Sequence, residues 1–397
     1  AQDQEIQQLM ARFQAGKPSG TAVAELELLV RTAIFKPATA MVGYLLQAAA
    51  DQIDEAYQAN PGQVRKTRVP IQVQCLFGSF ELRRDYYYHE GKKQGHYPAD
   101  AALGLEIGYT PALAKLLCLE GADETTYLKA QRHLEQTGGI PVSARQIQRV
   151  VQRVGGAAQQ WQERSAEPGQ CQRSKAPIMY VSGDGTGVPM VTEELAGRKG
   201  KQSDGKAKTR QVYQGCVFTQ HRVDEEGRPV RDWESTTYVS SFKPIDHFGP
   251  LLRREALRRG MGSKEHPNYK RQLSNWTKRL LKDKVEILIK ETRKKCRGTP
   301  QAEQVEQALH YFTSNVTRMQ YGTFRAAGYF IGSGVVEAGC KTVIGARCKQ
   351  SGMFWSESGA ENVLALRCIN TSRRLDDFWK YRLNAKSASN DCLPLAA

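Results

Sequence analysis

The stretch that most constrains the fold is Ile178-Met-Tyr-Val-Ser-Gly-Asp-Gly-Thr-Gly-Val-Pro189. Its opening apolar run, Ile178 to Val181, predicts a short core strand buried on both faces. The run then gives way to Gly183-Asp184-Gly185-Thr186-Gly187, so Asp184 is expected where that strand ends. Flanking glycines remove side-chain bulk and leave room for a ligand beside the carboxylate. A carboxylate so placed suits a hard divalent cation, which takes oxygen ligands. Asp and Gly are also the residues of a plain turn, and taken alone the stretch reads most simply that way. The balance shifts because a second carboxylate stands far downstream and the chain between them is basic.

Composition narrows the class of partner. The 397 residues suffice for two or three domains, and 40% hydrophobic with 25% charged residues is ordinary for a globular protein. A formal net charge of +16 is not ordinary and points to a polyanion, nucleic acid before membrane. No apolar run approaches the roughly 20 residues needed to cross a bilayer, and no secretory signal opens the chain. The nine cysteines stand singly with no Cys-x-x-Cys, so neither a disulfide framework nor a zinc site is expected. A cytoplasmic, nucleoid-associated protein with reduced thiols is the expectation.

Along the chain, residues 1–62 have a helical pattern, with apolar spacing over Val23–Val30 and Thr39–Tyr57 and a stop at Asn60-Pro61-Gly62. Residues 63–108 have strand character, with a turn at Gly78-Ser79 and a Tyr86-Tyr87-Tyr88 cluster that suits sheet packing. Residues 109–165 predict three helices. Thr110 and Pro111 open the first and Gly121 closes it; Asp123 opens the second; Ser143 opens the third. In the third, Ile147, Val150, Val151 and Val154 share one face, while Arg145, Gln146, Gln148, Arg149, Gln152 and Arg153 share the other. That polar face carries no acid, which fits the recognition helix of a helix-turn-helix, and Arg and Gln can read guanine and adenine edges. A solvated amphipathic helix has the same pattern.

Residues 176–261 then predict three strands and a helix, over Ile178–Val181, Gln211–Thr219, Thr236–Ser240 and Ile245–Arg259, the antiparallel start of a mixed sheet. A polar linker around Glu163–Ala176 precedes them, and the Gly/Lys-rich stretch Gly197–Arg210 reads as a solvated loop. Residues 262–328 predict a helical hairpin, with Leu273, Trp276, Leu280 and Leu288 on one arm and Val305, Leu309, Phe312, Val316 and Met319 on the other. Between Arg253 and Arg297 stand 16 Lys/Arg against 5 Asp/Glu, a local excess of 11 that favours a surface tracking phosphates. Residues 329–384 predict C-terminal helices, the last a single helix over Ser356–Asn384 with Val363, Leu364, Leu366, Ile369, Leu375 and Phe378 inward, and 385–397 a disordered tail.

The second carboxylate is Glu337, in Tyr329-Phe-Ile-Gly-Ser-Gly-Val-Val-Glu-Ala-Gly-Cys-Lys-Thr-Val-Ile344. It is expected in the first turn of a helix, where the dipole favours an acid and Lys341 at i+4 could pair with it. The surrounding residues are largely apolar, so an acid there also suits a metal ion.

The motifs Gly183-Asp-Gly-Thr-Gly-Val-Pro189, Gly215-Cys-Val-Phe-Thr219, Thr236-Thr-Tyr-Val239, Gly332–Gly345 and Lys349–Trp355 resemble those of ISKra-type bacterial insertion-sequence transposases. The likeness runs from about residue 70 to 384. It implies a DDE enzyme with an α/β, ribonuclease-H-like mixed-sheet catalytic domain, joined to an N-terminal helical and helix-turn-helix DNA-binding region and a helical hairpin insertion. It implies Asp184 and Glu337 as the first and third acids, holding Mg²⁺ or Mn²⁺, with zinc not expected. In such enzymes two ions about 4 Å apart activate the nucleophile and stabilise the leaving oxygen. Double-stranded DNA (transposon ends and target) is the implied partner, met by Arg145, Gln146, Gln148, Arg149 and Arg153 and, beside the acids, by Lys341, Arg347 and Lys349. Synapsis of two ends implies a homo-oligomer.

Two departures stand out. The family's second Asp closes a fourth strand, yet here the helix ending near Met261 runs directly into Gly262-Ser-Lys-Glu265. The fourth and fifth strands are expected to be missing at this seam; Asp246, at a helix start, is a poor substitute. Where relatives carry a zinc ribbon, this chain has His89-Glu-Gly-Lys-Lys-Gln-Gly-His96. The expectations are therefore a transposase, or a catalytically dead end-binding remnant able to inhibit the full enzyme; a structure-selective nuclease has no specific support. Loss of sheet strands predicts exposed apolar surface and marginal stability.

Overall fold

A computed structural model describes residues 2–16, 20–164, 178–200, 207–232, 234–259, 293, 306, 310, 313–318, 321–330 and 332–388. The expected linker core, most of the hairpin, the seam and the tail beyond 388 lie outside them. The chain is mixed α/β with antiparallel sheets, and it divides into two units: residues 1–158 with 374–397, and residues 159–373. Among the described residues no helix is long and apolar enough to cross a membrane.

In the first unit, α1 (Gln2–Ala15) precedes α2, which runs without interruption from Gly20 to Ala56. The sequence predicts two helical stretches here, yet Pro37 does not break the helix. Its ring stands on the exposed face, while the opposite face of α2 is held against a sheet. That sheet is β1 (Gln63–Gln74), β2 (Ser79–His89) and β3 (Gln94–His96), paired in order and antiparallel. The turn falls at Gly78-Ser79 as expected, with Cys75 N donating to Gly78 O at 2.8 Å. Ala50, Leu46 and Ile53 of α2 pack with Val73 and Leu82 of the sheet and with Ala99 of α3 (Pro98–Ala102). Of the tyrosine triplet, Tyr87 is buried against Tyr57, ring centroids 4.6 Å apart.

Three helices follow: α4 (Pro111–Asp123), α5 (Tyr127–Gly138) and α6 (Ala144–Arg164). The third start is as expected: Gln146 N donates to Ser143 Oγ at 3.3 Å and Ser143 N donates to Gln146 Oε1 at 3.1 Å, a reciprocal capping box. Ile147, Val150, Val151 and Val154 are fully buried. Gly121 does not end α4. It lies where α4 crosses α6, and a Cβ there would stand 2.6 Å from Val151 Cγ2 and 2.8 Å from Ile147 Cγ2. The glycine is therefore a packing residue, and with α4 extended to Asp123 the cap of α5 passes to Thr126, which accepts from Lys129 N at 3.0 Å.

In the second unit, β4 (Ile178–Pro189) pairs along its whole length with β5 (Thr209–Val223), from Ile178↔Gln220 to Pro189↔Thr209. β6 (Pro229–Arg231) and β7 (Thr237–Ser241) also pair with β5. Two expectations fail on β4. Asp184 sits mid-strand, because the glycine run stays extended under twelve residues of register with β5. The strand is also not buried on both faces: Val181 is 43% exposed.

Helix α7 (Ile245–Arg258) covers one sheet face, with Phe248, Leu251 and Leu252 against Val239 and Tyr213. Gly183 and Gly215 allow this approach; a Cβ at Gly215 would lie 2.6 Å from Leu252 Cδ1. The other face receives α8, which begins at Gly334–Gly339 and continues through a π turn at Cys340–Gly345 into Ala346–Cys348. Val336 packs there with Cys216, Phe218, Tyr180 and Tyr238. α9 (Glu357–Thr371) packs beside β7, with Ser240 Oγ 3.3 Å from Cys368 Sγ. The single C-terminal helix expected over 356–384 is two, broken at Arg373, whose φ is +57°. The second, α10 (Leu375–Ala388), groups with the first unit, where Arg382 Nε donates to the buried Glu106 at 3.0 Å.

Candidate functional site

Successive residues of a strand face opposite ways. In β4 the set Tyr180, Ser182, Asp184, Thr186 and Val188 therefore turns toward α8, while Gly183 turns toward α7. Asp184 stands opposite Gln214 of β5 and is exposed. Its Oδ1 accepts from Gly185 N at 2.7 Å, and its Oδ2 lies 3.9 Å from Cys340 Sγ.

Glu337 lies in the first turn of α8, as the sequence predicts, and is also exposed. Its Oε1 accepts from Ser333 Oγ rather than resting on the dipole alone. Cys340 follows one turn later on the same helix, where the spacing widens into the π turn. Such turns recur at functional sites because they re-aim side chains. Gly339 makes this approach possible: a Cβ there would stand 2.6 Å from Tyr238 Cε1.

Cys340 ties the two acids together. Burial, then the charge of Asp184, and more weakly that of Glu337, push its thiol up to about 11, against an opposing pull from Lys349. Both carboxylates therefore act on one buried sulfur. A cavity of about 320 Å³ opens alongside, lined by Ser182, Ser333, Val336, Tyr180 and Arg318.

Of the basic residues expected near the acids, Lys349 donates to Thr186 Oγ1, two positions along β4 from Asp184 on the same face. Lys341 is exposed. Arg347 is not a surface residue: it is 1% exposed, with its guanidinium 4.9 Å over the Trp355 ring. It secures the Lys349–Trp355 loop, which is anchored in turn by Trp355 N donating to Pro189 O at 3.1 Å. A side chain so enclosed has no face to offer a phosphate.

In the three-helix region of the first unit, Arg145, Gln146, Gln148 and Arg149 are exposed on α6. Arg153 is half-buried, its Nε 3.3 Å from Glu106 Oε2, so it serves the fold.

The donor set at Asp184 and Glu337 consists of exposed carboxylate oxygens, which suits a Mg²⁺ ion that keeps several waters and takes phosphate oxygens. Among the described residues, the one group of three or more such ligands within mutual reach is Glu120, Glu124 and His133 in the first unit, so no third acid joins the pair. There the His133 Nδ1 donates to Glu120 Oε2 at 2.6 Å, and that contact raises the imidazole pKa. Asp246 sits in the first turn of α7, on the opposite sheet face from Asp184. The expected seam at Met261–Gly262 lies outside the described residues.

Cys340, Gln214 and Ser333 were not legible as site residues. For Cys340 and Ser333 the signal was their helical spacing from Glu337; for Gln214 nothing short of the strand register could reveal it.

A family model described as an uncharacterised protein family, UPF0236, matches residues 18–203, a span that ends just beyond the strand carrying Asp184. No curated protein matches the chain.

Proposed function

We propose that this chain is a DNA-processing protein of the DDE transposase type, in which Asp184 and Glu337 are the acids that face the scissile phosphate. The observation that carries the reading is the convergence of these two carboxylates, 153 positions apart in sequence, on one sheet face around Cys340. Four antiparallel strands with a helix on each face accord with a ribonuclease-H-like domain. A bound Mg²⁺ would supply charge neutralisation at the phosphate and a more acidic water. Asp184 and Glu337 would hold it, Ser333 would orient Glu337 through its hydroxyl, and Lys349 would meet a phosphate oxygen beside Thr186. The exposed α6 face would hold the duplex, with Arg145 and Arg149 on phosphates or guanine edges and Gln146 and Gln148 on adenine edges.

A second reading has a specific observation behind it. Among the described residues, β4 has β5 as its one ladder partner within its span and no third acid joins the pair. On that reading the protein binds transposon ends without cutting them.

The test is the full chain with Mg²⁺ on supercoiled plasmid carrying the DNA that flanks its coding sequence, scored for nicking and for gel retardation. On the first reading the wild type nicks, and Asp184→Asn and Glu337→Gln each abolish nicking while leaving retardation intact. Nicking that survives either substitution overturns the acid assignment. Flank-specific retardation with no nicking by the wild type establishes the second reading, and failure to retard DNA at all overturns both.

A further inference from the structure

Large exposed apolar side chains are concentrated on one element. Val30, Ile34, Met41, Tyr44 and Leu45 of α2 are 43%, 59%, 66%, 76% and 54% exposed. They stand opposite the face that Leu46, Ala50 and Ile53 pack on the sheet. Val30, Ile34, Pro37, Met41, Tyr44 and Ala48 follow one another at spacings of four and three, the repeat of a two-helix seam. None of them is charged, and the seam covers about 27 Å of helix. An apolar stripe of this length is not the scattered exposure that soluble surfaces tolerate.

We propose that α2 pairs antiparallel with α2 of a second copy of this chain. Antiparallel seams set one core position of the repeat against the other. Here that opposes Val30 to Ala48, Ile34 to Tyr44 and Pro37 to Met41 of the other copy, a larger side chain against a smaller one at the ends and the kink-prone Pro37 against flexible Met41 near the centre. Charge selects the same direction. Glu27 continues the repeat at one end and Asp51 at the other, and Asp51 is paired with Arg68 at 2.9 Å. Antiparallel pairing sets Glu27 opposite Asp51, an acid whose charge the largely exposed Arg68 already answers, whereas parallel pairing sets Glu27 against Glu27. The two-fold symmetry repeats every contact. This inference does not rest on the proposed DNA chemistry and fails or stands without it.

The test is the mass of the full chain by light scattering after size exclusion at tens of micromolar. The wild type is expected to be dimeric, Ile34→Lys and Tyr44→Glu each monomeric, and the double variant dimeric again, because the introduced lysine then faces the introduced glutamate in both halves. Equal thermal melts of the monomeric variants establish that the fold survives; where they differ, Met41→Lys with Pro37→Glu repeats the experiment one layer inward. A monomeric wild type, a dimer that survives Ile34→Lys, or a double variant that stays monomeric overturns the proposal. The last outcome would also mark another partner, or a parallel seam, as the occupant of the stripe.

Discussion

The Sγ of Cys340 lies 3.9 Å from Oδ2 of Asp184, joining a helix and a strand that are 156 residues apart in the chain. The thiol, with a pKa pushed to about 11 by burial, Asp184 and Glu337, is a reporter of charge at the site. At pH 8 it is almost wholly protonated and should alkylate slowly. Asp184→Asn removes one of the causes and is expected to speed iodoacetamide labelling of the Cys340 peptide several-fold, read by mass spectrometry. Mg²⁺ held by the two acids should change the wild-type rate and leave the variant's rate alone. An Asp184→Asn rate equal to wild type would show that the two groups do not interact in solution.

In the first unit, Glu106 is 1% exposed and faces Arg382, itself 6% exposed, with Arg153 at 3.3 Å. Removing one member of such a cluster leaves buried charge without its counter-ion, at a cost of about 3–5 kcal/mol. Glu106→Gln is therefore expected to lower the stability of the first unit by about that amount in urea denaturation. Arg153→Ala should cost less, because its side chain is a third exposed and Arg382 still answers Glu106. Equal losses for the two variants would contradict this ranking.

Asp54 accepts from Asp85 N at 2.7 Å in a nearly closed environment, and burial raises its pKa from 3.8 to about 6. A raised carboxyl pKa means the folded state holds the proton more tightly than the unfolded chain. Its contribution is flat below about pH 4, falls as pH rises to about 6, and is unfavourable above that. Asp54→Asn keeps an acceptor for Asp85 N and removes the charge. The expected result is a higher Tm than wild type at pH 7, with no difference near pH 3.5; the gap between 3.8 and about 6 caps the gain at about 3 kcal/mol. A variant less stable than wild type at pH 7 would show that the carboxylate is solvated in the folded state.

Periodicity made much of the local structure readable. The apolar face of α6, its Ser143–Gln146 cap, the Gly78-Ser79 turn and the placement of Glu337 in a first helical turn all follow from spacing within a few residues. These features are set by neighbours in the chain, and the sequence displays those neighbours directly. The glycines misled for the opposite reason. Gly121 and Gly183 look like a stop and a turn, but each sits where another element presses close, and only the partner element reveals that use. Arg153 and Arg347 misled likewise: as letters they are surface cations, and in the fold they answer Glu106 and Trp355. That Asp184 and Glu337 share a sheet face was decided by strand alternation together with the docking of α8 at Gly339. Neither is a property of any stretch short enough to be read alone, because the contacts that fix them join residues more than a hundred positions apart.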